Sequence, residues 1–332
     1  MKTGIKYPYY KGSTVFGNFY SLEELISLFV GQIKTKAETI TKTKINEITV
    51  GRPVHFSSDS IKDKAAQDRL EKAVINAGIS RVKFEFEPIG AVKYFLRERP
   101  KLRGKVLVFD FGGGTLDTTL VARYGNDFKV LATDGVYIGG DLLNSDILRN
   151  KLGHYFGADI RWGENNLDMP TRFIDTLGSW FGVANLDNTA DMETLRQIKN
   201  RGNDTQAIDR LIHLIKANLG FEIYEAIEKA KKELTTRQET FIVYQDGPID
   251  IHIKITRTEF ETLIKPRIVE VRETVLRTLR QANTEPDELS AVVATGGSSL
   301  LPIVKTMLSE VFGEEKVNYF ELFTSIAAGL VL

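Results

Sequence analysis

The run Val106-Leu-Val-Phe-Asp-Phe-Gly-Gly-Gly-Thr-Leu-Asp117 decides the fold. Val106 to Phe109 are apolar without a break, the pattern of a buried strand, and they deliver Asp110, three glycines and Thr115 into one tight turn. Glycine lets backbone N–H groups approach phosphate oxygens with no Cβ in the way, and Thr115 adds a hydroxyl donor. Asp110 and Asp117 have the chemistry to bind the water shell of a Mg²⁺ ion. A plain glycine hairpin, with both aspartates as turn formers, fits the same residues. Asp117 to Arg123 then reads as a returning strand and Phe128 to Thr133 as a third.

Outward from this turn, strands and helices alternate. Toward the N-terminus, the apolar spacing predicts a helix over Ser21 to Lys44, with Ser21 as cap and Glu24 three residues on. A β-rich run covers Ile48 to Phe56, a charged helix Ser60 to Ala77 ends at Gly78, and Val82, Phe84 and Phe86 alternate up to Glu87-Pro88. Ile89 to Glu98 is helical. Toward the C-terminus, Asp141 to Phe156 is helical, while Gly157 to Asn203 has no steady period and reads as an insertion or irregular subdomain. A single long helix is expected from Asp204 to Leu234. Strands Thr240 to Tyr244 and Ile249 to Ile255 follow, linked by Asp246-Gly247-Pro248. Thr256 to Asn283 is a helix with a kink expected at Pro266, Ala291 to Ala294 a buried strand, and Leu301 to Phe312 a helix. A short strand near Val317 and a helix from Thr324 close an α/β pattern.

Composition bounds the function. The 332 residues suit about two domains, and 44 Lys+Arg balance 44 Asp+Glu, so a nucleic acid or an anionic membrane is not the expected partner. The absence of cysteine excludes disulfides, thiol catalysis and thiolate metal sites. Neither a signal peptide nor a run of ~20 apolar residues is present, which makes the cytoplasm the expected address. His55, His154, His213 and His252 are scattered and read as structural or surface residues, and Trp162 and Trp180 as core packing.

Two further glycine clusters bear on the first. Gly139-Gly140-Asp141 stands at a helix start, and Ala294-Thr-Gly-Gly-Ser-Ser299 joins a buried strand to a helix, where backbone N–H groups and the helix dipole favour an anion. Taken alone, the first is equally an N-cap loop and the second a tight connection. Three clusters on one α/β scaffold are better explained together by a nucleotide.

In this order, Asp110 to Asp117, Gly139-Gly140-Asp141, Ile227-Glu-Lys-Ala-Lys-Lys-Glu-Leu-Thr235 and Thr295-Gly-Gly-Ser298 resemble the ATPase domain of heat-shock protein 70 (DnaK-like) chaperones, members of the actin-like ATPase superfamily. Gly51-Arg-Pro-Val-His-Phe56, Phe86-Glu-Pro88 and Phe323-Thr-Ser-Ile-Ala-Ala-Gly329 look closer to the YegD-like branch. The resemblance implies the two-lobed actin-like (ribonuclease H-like) α/β fold, with an N-terminal lobe over residues 1–134 that lacks its first strands and a C-terminal lobe over 135–332. It further implies that Gly112, Gly113, Gly114 and Thr115 form the second phosphate loop, that Asp110 helps to hold Mg²⁺ and activate water, and that Asp117 shares the metal's water shell. Glu87 matches an acidic residue that faces the metal, so Asp110, Thr115 and Glu87 are the expected catalytic set. Gly139, Gly140 and Asp141 match a further nucleotide-contacting turn. Glu228, Lys231, Lys232 and Thr235 would share one side of a helix and meet ribose and adenine, while Gly296, Gly297 and Ser298 would floor the purine. Without the other motifs that helix reads as a solvated charged face.

Departures accompany the match. Leu300 and Leu301 stand where chaperones carry an adenine-packing arginine, and Phe323 replaces an acidic residue, so weaker or less selective adenine recognition is expected. Nothing before Tyr10 matches the family's first phosphate loop and catalytic lysine, and Lys2 and Lys6 are isolated. The expected function is therefore an ATP- or ADP-binding, Mg²⁺-dependent chaperone-like switch with slow and impaired hydrolysis. Its expected partners are nucleotide and a client or co-chaperone protein, with self-association through an open sheet edge. The alternative is an actin-like filament or scaffold protein whose assembly nucleotide regulates.

Overall fold

The structure is a computed structural model that describes residues 11–15, 18–57, 59–125, 127–179, 182–320 and 322–331. Contacts group the chain into two compact units, the first made of 1–108, 119–133 and 320–332 and the second of 109–118 and 134–319. The units interleave along the chain, with boundaries after residues 108, 118, 133 and 319. Trp180, Lys2 and Lys6 lie outside the described residues, as does the side chain of Phe323.

The first unit opens with a hairpin, β1 (Gly12–Val15) and β2 (Asn18–Ser21), that leads into α1 (Leu22–Thr41). Ser21 and Glu24 form the expected reciprocal cap, Glu24 N–H donating to Ser21 Oγ at 3.2 Å and Ser21 N–H to Glu24 Oε2 at 2.7 Å. The helix stops at Thr41 because Lys42 adopts the left-handed conformation, φ 56°. Strand β3 (Glu47–Arg52), α2 (Ser60–Asn76) and β4 (Arg81–Phe86) form a parallel βαβ unit, in register from Glu47 opposite Arg81 to Arg52 opposite Phe86. β3 ends at Arg52, short of the expected Phe56, because the chain wraps the Arg52 guanidinium. That group donates to Pro53 O at 3.0 Å, Val54 O at 3.2 Å and Asp63 Oδ2 at 2.8 Å. Helix α3 (Glu87–Glu98) begins at Glu87, two residues before the expected start, since Pro88 needs no N–H partner in a first turn.

β5 (Gly104–Phe111), β6 (Leu116–Tyr124) and β7 (Asp127–Val136) are the three strands read around the glycine turn. In the second unit, α4 (Gly140–Ile147) passes into a π turn, Leu148–Leu152, and a 3₁₀ turn that closes at Gly157 with φ +92°. The stretch without sequence period holds β8 (Arg161–Trp162), β9 (Leu167–Asp168), α5 (Thr171–Leu177) and α6 (Thr189–Arg201), the last packing Leu195 and Ile198 inward. The expected long helix is two, α7 (Thr205–Lys216) and α8 (Gly220–Glu233), because Asn218 turns left-handed at φ 53° and Leu219 N–H bonds back to Leu214 O at 3.0 Å. The antiparallel pair β10 (Glu239–Asp246) and β11 (Ile249–Thr256) turns at Gly247, φ +52°, and α9 (Arg257–Gln281) carries Pro266 within it.

β12 (Leu289–Thr295), α10 (Pro302–Phe312) and β13 (Val317–Tyr319) follow in the second unit, and α11 (Leu322–Leu330) belongs to the first. The sheet order β13-β12-β5-β6-β7 gives a mixed five-stranded sheet, in which β12 and β13 are parallel. The architecture is mixed α/β and consistent with the actin-like ATPase fold. In the first unit α11 lies on α3 at a glycine pair so close that a Cβ at Gly329 would stand 1.8 Å from Gly90 O. In the second, Thr118 at the start of β6 is tied to α9 through a 2.5 Å hydroxyl pair with Thr278. No described helix is long and apolar enough to cross a membrane.

Candidate functional site in the second unit

β5 buries Val106 to Phe109 and Phe111 and leaves Asp110 half-buried just ahead of the turn. The turn closes with Gly112 N–H on Thr115 O at 3.0 Å, and Thr115 Oγ donates to Asp117 Oδ2 at 2.8 Å. Gly113 and Gly114 are exposed, and no heavy atom lies within 4 Å of where a Cβ on Gly114 would be.

The other two glycine clusters fold against this turn by their backbones. Gly140 N–H donates to Gly112 O at 3.0 Å and Asp141 N–H to Gly113 O at 2.7 Å. A Cβ on Gly139 would lie 2.3 Å from Gly113 O, so only glycine permits that approach. From the opposite loop, Gly296 adopts φ +88° beside Phe111, and Ser298 Oγ donates to Gly112 O at 2.9 Å. Gly297 is exposed with open space above it.

Helix α8 brings the charged groups. Lys231 Nζ donates to Gly140 O at 3.1 Å and pairs with Glu228 Oε2 at 2.6 Å, while Lys232 reaches Glu228 Oε1 at 3.4 Å. Lys231 is buried, and loss of hydration pulls its pKa below the usual lysine value, with Glu228 opposing. For Glu228 burial acts upward, but the Lys231 charge and hydrogen bonds from Lys231 and Asn144 outweigh it and hold the carboxyl below its ordinary value. Asn144 Nδ2 donates to Glu228 Oε2 at 2.9 Å. Thr235 lies just past the end of this helix. Helix α8 ends at Glu233, and Thr235 Oγ turns back to Lys232 O at 2.6 Å.

Hydrogen bonds therefore join the turn at Gly112–Thr115, the loop at Gly139–Asp141, Glu228 with Lys231, and Ser298 into one connected group. Glu87 belongs to the first unit, where it opens α3 beside Gly51. Sequence reasoning missed Asn144 and Tyr224, whose phenol donates to Asp141 Oδ1. Asn144 lies three residues beyond Asp141 and Tyr224 four before Glu228, so each occupies the helix face next to a motif residue.

A phosphate chain and its metal suit this donor set. The exposed Gly113, Gly114 and Gly297 leave backbone open to a ligand. No cluster of three His, Cys, Asp or Glu able to hold a metal ion directly exists among the described residues; the carboxylates beside the turn are those of Asp110 and Asp117. His213 meets Asp246 at 2.5 Å and His252 stacks on Phe241, both outside this group.

A family model described as Hsp70 protein matches residues 9–162 and 202–330. The chain belongs to the Hsp70 family. The match omits 163–201, which lies within the stretch read as an insertion. The chaperone protein DnaK of Cenarchaeum symbiosum (strain A) is 27% identical over 322 residues, 95% of this chain and 41% of that protein. DnaK of Nitrosopumilus maritimus is 26% identical, covering 94% and 42%, and DnaK of Thermosipho melanesiensis 25%, covering 94% and 44%. The chain thus spans about two-fifths of the length of these curated relatives.

Proposed function

We propose that the second unit binds ATP or ADP with Mg²⁺ and that the protein is a nucleotide-dependent switch of the chaperone kind. The observation that supports this is the hydrogen-bonded convergence of Gly112, Gly113, Gly140, Asp141, Lys231 and Ser298, segments far apart in sequence. In this reading backbone N–H groups of the Gly112–Gly114 turn and Thr115 hold phosphate, Asp110 and Asp117 hold the metal's waters, Glu228, Lys231, Lys232 and Thr235 serve the nucleoside, and Gly296, Gly297 and Ser298 lie under the purine. A bound Mg²⁺ would neutralise phosphate charge. The names of the DnaK relatives favour a chaperone over a filament protein.

Finer parts of the proposal are a cytoplasmic address, a client or co-chaperone partner, and a place near the YegD-like branch on Gly51 to Phe56 and Phe86 to Pro88. Calorimetric titration tests the core of it, with ADP binding expected and its absence overturning the reading. Phosphate release measured beside Asp110→Asn tests hydrolysis. Turnover lost in the variant assigns it to this site, and equal background rates confine the function to binding.

A further inference from the structure

Tyr224 lies one helical turn before Glu228 on α8, outside every motif quoted above. Its hydroxyl donates to Asp141 Oδ1, and burial together with that carboxylate raises the phenol's pKa above its ordinary value. Asn144 borders the same hydroxyl while donating to Glu228 Oε2 at 2.9 Å, and Glu228 pairs with Lys231 at 2.6 Å. Polar groups thus run without a gap from Lys231 through Glu228, Asn144 and Tyr224 to Asp141.

The end of that chain meets the glycine turn. A Cβ on Gly113 would stand 3.4 Å from Asp141 Oδ1, so the carboxylate borders the exposed backbone of the turn. A carboxylate has the same charge sign as phosphate and accepts hydrogen bonds from the same N–H donors. Left untied, it would compete for them.

We propose that Tyr224 is a positioning residue that ties the Asp141 carboxylate to α8, keeping it from competing with the phosphates of a nucleoside di- or triphosphate at the Gly112–Gly114 turn. The inference rests on the nucleotide-binding reading above and adds to it a determinant of phosphate affinity. It acts through Asp141 and touches no ligand.

Tyr224→Phe keeps the ring and removes only the O–H group. Calorimetry on the full chain should find ADP affinity lowered about tenfold and adenosine affinity changed by less than about twofold, with the circular dichroism spectrum unaltered. In an Asp141→Asn background the charge is gone, and adding Tyr224→Phe should change ADP affinity by less than about twofold. Equal losses for ADP and adenosine, an undiminished loss in the Asn background, or no loss at all would overturn the inference and leave the nucleotide reading standing. Failure of the unaltered chain to bind ADP would overturn both.

Discussion

Gly296 faces the carbonyl of Phe111 so closely that a Cβ on it would lie 2.1 Å from that oxygen, and its φ of +88° is one that other residues adopt at a cost. Backbone packing therefore demands glycine here whether or not a ligand binds. Gly296→Ala is expected to destabilise the fold by more than the ~1–3 kcal/mol of a backbone conformation open to glycine alone, since the Cβ also clashes. Urea denaturation checks this, and a midpoint equal to that of the unaltered chain would contradict it.

Gly114 and Gly297 make the opposite case. Neither would bring a Cβ within 4 Å of a protein atom, so alanine at either position should leave the urea midpoint nearly unchanged. Each Cβ would instead occupy space at the proposed nucleotide site. ADP affinity should fall about tenfold in either variant, read by calorimetry.

The two kinds of glycine cannot be told apart in sequence. The Gly-Gly-Gly turn and the Gly296-Gly297 pair were legible because buried apolar strands end at them, and Gly139-Gly140 because it stands at a helix start. That Gly139 and Gly296 serve backbone contact, whereas Gly114 faces open space, depends on neighbours more than twenty residues away. The break between α7 and α8 was hidden because Ala217 and Asn218 carry no proline, and the left-handed Asn218 is set by its context. Tyr224 was illegible for a related reason: a lone tyrosine on a charged helix gains meaning only when α4 brings Asp141 to it.

Glu228 and Lys231 form a largely buried pair, the Lys231 side chain 7% exposed and that of Glu228 20%. Glu228→Gln would leave the Lys231 charge buried without its counterion, so a loss of about 2 kcal/mol or more is expected in urea denaturation. Replacing both by Gln and Met should recover part of it. No loss in the single variant would mean that Asn144 and the Gly140 carbonyl alone satisfy the site.

The N-terminus of α9 offers a pH test independent of any ligand. Hydrogen bonds from Lys151 and from the Thr256 N–H and hydroxyl bring the Glu259 carboxyl from the usual 4.5 down to about 2. A carboxyl lowered by folding contributes stability above its unfolded pKa and loses it as pH falls through the folded one. The urea midpoint of the unaltered chain should therefore decline between pH 4.5 and about 2 more steeply than that of Glu259→Gln, which keeps a capping amide and does not titrate. Parallel declines would show that other carboxylates govern acid stability.

In the proposed nucleotide site, purine choice would follow from what surrounds Gly297. The 3₁₀ turn Gly297–Leu300 presents an exposed Leu300, where an apolar side chain can cover either purine face and hydrogen-bonds to neither. Selectivity by a hydrophobic surface is small, whereas a site built to pair with a polar edge rejects the wrong base strongly. ADP and GDP should accordingly bind within about an order of magnitude, or ~1.4 kcal/mol, in calorimetric titration. Leu300→Arg supplies a planar cation with donors and is expected to tighten ADP more than GDP. Strong adenine preference in the unaltered chain would show that Ser298, Lys232 or another polar group reads the base, and the apolar account of Leu300 would then be abandoned.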